Sequence, residues 1–443
     1  MDKSAREALG RRIVRLSQAD QTEVLISHEN SALTRFTHNN VHQNVAHADT
    51  LVSVRAIIDG QTGVARTNIL EDASLHNLVA RASEMAKLAP KDPFQPPLPA
   101  GGHTQTPPGS YIAETASATA HRRAGLAKQI FEIAEHDSLW AAGFVTTSES
   151  GTTIVNSRGA CASFDGTDTG VNVKMNGADS TGYAEKYDAD ITRIDTTQTG
   201  KIAAAKALQS SKPQTVPPGE WTVILEPAAF GELLSYIIDH FSAQAFDEGS
   251  SFLSQGLGKT YMGKNVTLWD DYAHPLSPSM PFDYEGQPTK RLALIENGVA
   301  KAYVTDSYWA AKLKTENTGH ALPAPNAWGP MPRNPVVAGG EKATQQLISE
   351  TKRGLLVSRF WYIRPVDQRQ TIVTGMTRDG TFLIENGEIT GGVRNMRFNQ
   401  SILEALRHCE FSSEQMRTGS YSYSNVVPAA KIEGFRFSSG TDF

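Results

Sequence analysis

The residues able to do chemistry are scattered along this chain. A hydrolytic zinc site commonly sets two histidines one helical turn apart, so that both imidazoles reach one metal, with a glutamate beside the first as base. The chain contains neither HExxH nor HExxxH. Among its twelve histidines, His38 and His42 alone stand at i,i+4, and Asn39 and Asn40 between them mark a turn or short strand. Glu232, Asp239 and His240 fall near one face of an amphipathic helix and, with Asp283 or Glu285, could hold a metal; a solvated helix face is the plainer reading. Asp270-Asp271 and Asp283-Tyr284-Glu285-Gly286 offer carboxylates for cation binding or acid–base work, with turns as the plainer reading.

Other motifs are weaker. Gly256-Leu257-Gly258-Lys259-Thr260 ends like a phosphate loop but lacks the first glycine and the preceding strand, so it reads as a turn after a helix. No GxSxG elbow occurs. Cys161 and Cys409 sit in no CxxC pair, which excludes a disulfide framework and a Cys-rich zinc site; each reads as a small buried hydrophobe, Cys409 on a terminal helix. Arg359, Phe360, Trp361, Tyr362 and Arg364 lie along one expected strand. Their aromatic rings could line a groove, and an edge strand there could accept an extended peptide.

The elements that must position these residues follow from pattern. Residues 4–18 read as an amphipathic helix, and short strands are expected at Glu23–Ser27, Ala32–Phe36 and Val52–Ile58, the last turning at Asp59-Gly60 into Gly63–Thr67. Helices are expected from Asp72 to Leu88 and over about 117–136, separated by a connector at 90–110 with seven prolines. Strands follow at 140–150, 152–158 and 170–176. The Pro-rich stretch Lys212–Gly219 divides the chain into an N-terminal α/β layer domain, 1–212, and a mainly antiparallel, barrel-like β domain, 220–443. The second opens with a strand at 221–227 and a helix from Ala228 to Phe246, then short strands at 264–269, 291–296, 300–304, 355–363, 370–376, 380–385 and 388–394. The fold class is α+β.

With 443 residues, 39% hydrophobic and 20% charged, the composition is globular, and a net charge of -5 lacks the basic excess that direct nucleic-acid binding needs. No stretch approaches the ~20 apolar residues that span a bilayer, so a cytoplasmic protein without membrane contact is expected.

Several segments together resemble the TldD/PmbA family, named for modulators of DNA gyrase and associated with a two-subunit metalloprotease. They are Arg35-Phe36 to Gln43-Asn44, Val54-Arg55 with Asp59-Gly60, Ala89–Pro93, Glu248-Gly249-Ser250-Ser251, Phe282–Thr289, Leu294–Gly298, Asn317-Thr318-Gly319-His320 and Thr377–Ile389. The resemblance implies, for the family's catalytic member, a zinc peptidase with HExxxH on the helix before the Gly-Ser-Ser turn and a Cys ligand near the C-terminus. Counted back without gaps from Gly249, the equivalent positions here read Leu234-Ser235-Tyr236-Ile237-Ile238-Asp239, and Arg417–Tyr423 replaces the Cys-bearing segment. The chain therefore resembles the TldE/PmbA side. What this implies is a partner subunit with no cofactor of its own, joined to a TldD-like subunit that carries zinc and acts on unfolded peptides, with any link to gyrase indirect. An autonomous peptidase with a divergent site and a homodimeric peptide-binding scaffold are the alternatives. No catalytic or metal-ligating residue is assigned. The peptide-contacting or cavity residues assigned are Asp239, His240, Ser250, Asp283, Glu285, Arg359, Tyr362, Thr377 and Arg378.

Overall fold

The computed structural model describes residues 1–419 and 424–441. Two sheets carry an α+β architecture. The first is antiparallel with order β3-β2-β1-β4-β5-β6, formed by β1 (Gln21–Thr37), β2 (Asn40–Ile58), β3 (Gln61–Thr67), β4 (Trp140–Asn156), β5 (Cys161–Asn176) and β6 (Thr181–Asp188). Glu23–Ser27 and Ala32–Phe36 prove to be parts of one 17-residue strand. Likewise β4 runs unbroken through 140–156, and β6 carried no signal that pattern reading caught. Asp59-Gly60 makes the expected tight turn with φ of 49° and 75°. His38 and Asn39, at φ 49° and 59°, turn β1 into β2, which accounts for the i,i+4 histidines.

Helices cover one face of this sheet: α1 (Lys3–Leu16), α2 (Asp72–Leu88), α4 (Ala120–His136) and α5 (Thr196–Gln209), with a single turn, α3 (Ala113–Ala116), at the end of the connector. Residues 90–110 contain no helix or strand, as seven prolines dictate. Val24, Ile26 and Val54 pack on Leu75, Val79 and Ala82, while Val145 and Val173 pack on Leu126, Ile130 and Ala203. Gly63 is required here, since a Cβ would lie 2.2 Å from the Ala82 carbonyl oxygen of α2.

The second sheet has eleven strands: β7 (Gly219–Leu225), β8 (Leu268–Asp270), β9 (Leu292–Glu296), β10 (Val299–Ala300), β11 (Pro335–Val337), β12 (Arg353–Asp367), β13 (Ile372–Glu385), β14 (Glu388–Gly392), β15 (Met396–Ser401), β16 (Cys409–Thr418) and β17 (Asn425–Gly440). Pairing of β17 with β7 closes a ring of five strands, β7-β12-β13-β15-β17, and β17 carries β16 as a further neighbour. Except for β7–β12 and β11–β17 the strand pairs are antiparallel. Helix α6 (Pro227–Ile238) packs on this sheet; α7 (Ala243–Asp247), α8 (Ser307–Leu313), α9 (Thr344–Ser349) and α10 (Ile402–Ala405) are short.

Two expectations are corrected here. The helix expected from Ala228 to Phe246 breaks after Ile238 into a 3-10 turn at Asp239–Phe241 and then α7. The backbone is captured sideways: Val304 N–H donates to Phe241 O at 2.7 Å and Ala243 N–H to Val304 O at 3.0 Å, which holds Ser242 extended. Cys409, expected on a helix, begins strand β16 opposite Ile432, and Cys161 is exposed rather than buried.

The bare face of the first sheet meets the second sheet's unit. Leu25, Ile154 and Phe164 pack on Met280 and Phe282. Complete burial of a Phe side chain is worth about 1.5–3 kcal/mol, and Phe282 is fully buried. Beside this apolar contact, Arg55 of β2 donates to Glu23 at 2.7 Å and to Glu285 at 3.0 Å, and Arg417 of β16 donates to Asp168 of β5 at 2.5 Å. No helix among the described residues is long and apolar enough to cross a membrane.

Candidate functional site

Helix α6 starts at Pro227, whose missing N–H suits the first helical position. Ala229, Phe230, Leu233, Leu234, Ile237 and Ile238 form its buried face. The opposite stripe, Ala228, Gly231, Glu232 and Ser235, lines a cavity of about 350 Å³. Three other elements complete the walls: Tyr183 and Glu185 of β6, Arg359 of β12, and Thr418, Gly419 and Asn425 where β16 ends and β17 begins. A Cβ at position 231 would lie 2.2 Å from Thr418 Oγ1, so glycine is what lets the strand end approach the helix.

This cavity is polar and short of positive charge. Tyr183 donates its hydroxyl to Glu185, and Asn172 Nδ2 donates to the Tyr183 oxygen at 2.5 Å. Burial pushes Glu232 up to about 7 against the pull of Arg359, and burial raises Glu185 as well. The Arg359 guanidinium lies 4.5 Å over the Tyr183 ring and 3.8 Å from Asp379. Lys206 is taken by Glu226 at 2.6 Å, Arg417 by Asp168, and Lys174 by Asp379 at 3.1 Å.

Arg359 leads into a second hollow of about 360 Å³ lined by Lys174, Arg378, Asp379 and Arg394. Alongside it, β12 bulges between Trp361 and Arg364. Tyr362 there has φ +59°, a strained value for a bulky residue, and both Trp361 and Tyr362 turn outward, Tyr362 being 57% exposed. Arg378 lies 4.0 Å over the Trp361 ring and Arg364 lies 4.4 Å over Tyr362, a ladder of stacked cations and rings. Phe360 is fully buried and packs on Phe398 and Phe435. β12 pairs with β13 on one side, with three register shifts, and with β7 on the other only over Leu355–Val357, so Arg359–Arg364 has a strand neighbour on one side among the described residues.

The remaining assigned residues lie elsewhere. Asp239 and His240 line a separate hollow of about 290 Å³, where burial lowers His240 to about 4 and raises Asp239. The His240 ring packs against Phe252 at 5.4 Å, tilted by 37°. Ser250 Oγ donates to the Ala245 carbonyl at 3.3 Å, and Thr377 is fully buried, accepting from Met396 N–H at 3.0 Å. The Asp283 carboxylate accepts three backbone N–H groups, from Glu285, Gln287 and Ala321, each at 2.9 Å. Asp283 and Glu285 thus belong to the joint between the sheets, beside a broad hollow of about 950 Å³ that Glu285 and Arg55 help line. Glu232 is therefore not brought together with Asp239, His240, Asp283 or Glu285 as the metal reading required. Missed in sequence were Glu185, Tyr183 and Asn425, which carry no local motif.

The positions where the resemblance implies zinc ligands are the middle and end of α6 and the segment from Arg417. Its part Ser420–Tyr423 lies outside the described residues; the helix and Arg417–Gly419 do meet at the 350 Å³ cavity. The donors there do not fit a catalytic zinc, which takes imidazole, thiolate or carboxylate in a tetrahedral set. Two separate glutamates face a guanidinium, Cys409 stands at the far end of β16, and among the described residues no three His, Cys, Asp or Glu side chains converge.

A ring-forming sheet joined to a helix-covered sheet, with a polar cavity between α6 and the start of β17, defines an α+β protein built on two packed sheets. Residues 218–439 match the C-terminal domain of the PmbA/TldA metallopeptidases and residues 22–86 their domain 1, and the chain belongs to this PmbA/TldD family. It is 25% identical over 284 residues to the metalloprotease PmbA of Escherichia coli O157:H7, covering 62% of this chain and 60% of that protein. To a zinc metalloprotease TldD homolog of Saccharolobus solfataricus it is 25% identical over 228 residues, 47% of each chain. Thus the chain spans only about half to three-fifths of the length of the curated relatives it matches. The crystal structure of TldE from Thermococcus kodakarensis superposes with a TM-score of 0.86 at 24% identity, over 98% of this chain and all of that one, a likeness of fold.

Proposed function

We propose that this chain is a non-catalytic, TldE/PmbA-like partner subunit of a TldD-type zinc metalloprotease, and that it presents unfolded peptide to the partner's metal. The observation that carries this reading is the helix α6: the family framework is retained, while the positions the resemblance gives to the two imidazoles hold Leu234 in the core and Asp239 in another hollow, and the cavity where α6 meets Arg417–Gly419 offers Glu232, Ser235 and Arg359. The residues proposed to contact peptide are those on the open wall, Arg359, Tyr362 and Arg378, whose aromatic and guanidinium groups are the types enriched at binding hot spots. The division of the chain near residue 212 into two domains belongs to the same proposal, with the peptide lying between them.

Co-expression with a TldD-like chain, native mass and metal analysis test it. The expected result is a mixed complex with zinc in the other subunit and a peptidase rate above that of the TldD-like chain alone. A homodimer that ignores the TldD-like chain, or stoichiometric zinc in the isolated chain, overturns it.

A further inference from the structure

The α6 cavity holds two carboxylates and a buried amide oxygen; Glu232 accepts the Phe360 backbone N–H, and Glu185 accepts the Tyr183 hydroxyl and the Gly419 backbone N–H. Asn425 is 97% buried and lines it; its Nδ2 donates to the Gly231 carbonyl at 3.1 Å, which fixes the amide orientation. Its Oδ1 then has no hydrogen-bond partner among the described residues. Neither Glu185 nor Glu232 has a Lys, Arg or His within ion-pairing distance among those residues, because Lys206, Arg417 and Lys174 are committed to Glu226, Asp168 and Asp379. Arg359 is divided between the Tyr183 ring and Asp379. A buried amide oxygen without a donor, beside two carboxylates without an ion-pair partner, calls for a ligand that brings positive charge and N–H donors together.

We propose that this cavity binds the ammonium or guanidinium group of a peptide, held by Glu232, Glu185 and the Asn425 amide oxygen. A volume of about 350 Å³ admits one such side chain or chain terminus. An inorganic divalent ion is the poorer match, since the Arg359 guanidinium faces the same space and two carboxylates leave most of a six-to-eight-oxygen shell unfilled. The inference rests on the peptide-handling reading and adds to it a preference for cationic residues.

The test is calorimetric titration of the full chain with four capped or uncapped peptides. Ac-Ala-Lys-Ala-amide offers a side-chain ammonium alone, Ala-Ala-Ala-amide offers an α-ammonium alone, Ac-Ala-Ala-Ala-amide offers neither, and Ac-Ala-Glu-Ala-amide offers a carboxylate. One of the first two is expected to bind at least tenfold more tightly than the neutral peptide, and which one does so identifies the source of the cation. Glu232→Gln and, independently, Glu185→Gln are expected to remove that preference while leaving far-UV circular dichroism and binding of the neutral peptide unchanged. Equal affinity for all four peptides, preference retained in both variants, or displacement of the cationic peptide by millimolar magnesium overturns the proposal. Complex formation with a TldD-like chain is scored separately: if it persists while the cation preference is absent, this inference alone falls.

Discussion

Replacing Glu232 by Gln should stabilise the protein above neutral pH and do so in a pH-dependent way. Burial moves the Glu232 carboxyl from its ordinary 4.5 to about 7 in the folded chain. A carboxyl raised on folding favours the folded state fully below its unfolded value and loses that contribution as pH rises through the folded value. With about 1.4 kcal/mol per pKa unit, the ionised group costs the fold up to about 3 kcal/mol, and about 2 kcal/mol of this is incurred between pH 5 and pH 8. Glutamine keeps the shape and cannot ionise. The charged and titratable groups facing position 232 are Glu185 and Tyr183 from β6 and Arg359 from β12, all present in both proteins, so their own titrations largely cancel in the difference. Urea unfolding of both proteins at pH 5 and pH 8 measures it: the variant should gain about 2 kcal/mol on the parent between the two pH values. An unchanged difference, or a larger loss for the variant at pH 8, would refute the view that desolvation dominates at Glu232.

Arg55→Met should cost about 3–5 kcal/mol in the same assay, because it strands Glu23 and Glu285 in the joint between the sheets; adding Glu23→Gln should recover part of that loss. Gly63→Ala should cost about 1–3 kcal/mol, since its Cβ would meet the Ala82 and Ala86 backbone of α2 at 2.2 Å, and amide exchange should rise in α2 first. Tyr362→Gly should leave thermal stability unchanged or higher by about 1 kcal/mol, through relief of a positive φ at an exposed position. Peptide affinity should meanwhile fall severalfold, measured by calorimetry.

What could be read from sequence was what short-range physics decides. Asp72 to Leu88 and the Asp59-Gly60 hairpin were legible because caps, prolines and αL-tolerant residues act within a few positions. The long strands were not. The outer half of β2, Asn40 to Ala48, is exposed along its whole length and so carries no buried alternation, and the first half of β17 is buried residue after residue and shows none either. The missed β15 did alternate, with Met396, Phe398 and Gln400 inward, over only six residues. The break in the α6 helix came from Val304, a contact 62 positions away that no local pattern encodes. The polar stripe holding Glu232 was visible on the helix, and a solvated face was the natural reading. Its partners Glu185 and Asn425 stand 47 positions before it and 193 after, so only the fold could turn that stripe into the wall of a cavity.

The two faces of α6 answer to different constraints, and this is why the cavity can persist without a metal. Packing of Phe230, Leu233, Leu234 and Ile237 in the core places the helix, and the Asn425 to Gly231 hydrogen bond together with the Gly231–Thr418 approach places the strand ends beside it. On the polar stripe these contacts engage only Gly231, so the cavity's shape does not depend on the Glu232 carboxyl or the Ser235 hydroxyl. Changes of side chain at Glu232 or Ser235 therefore leave the architecture intact. They do not leave the stripe indifferent: desolvation raises the Glu232 carboxyl to about 7 although Arg359 and the Phe360 N–H favour its ionised form, and an apolar residue at 232 would avoid that cost. An acid held at that cost, beside a second acid and an unpaired amide oxygen, makes sense where the missing donors arrive with a ligand.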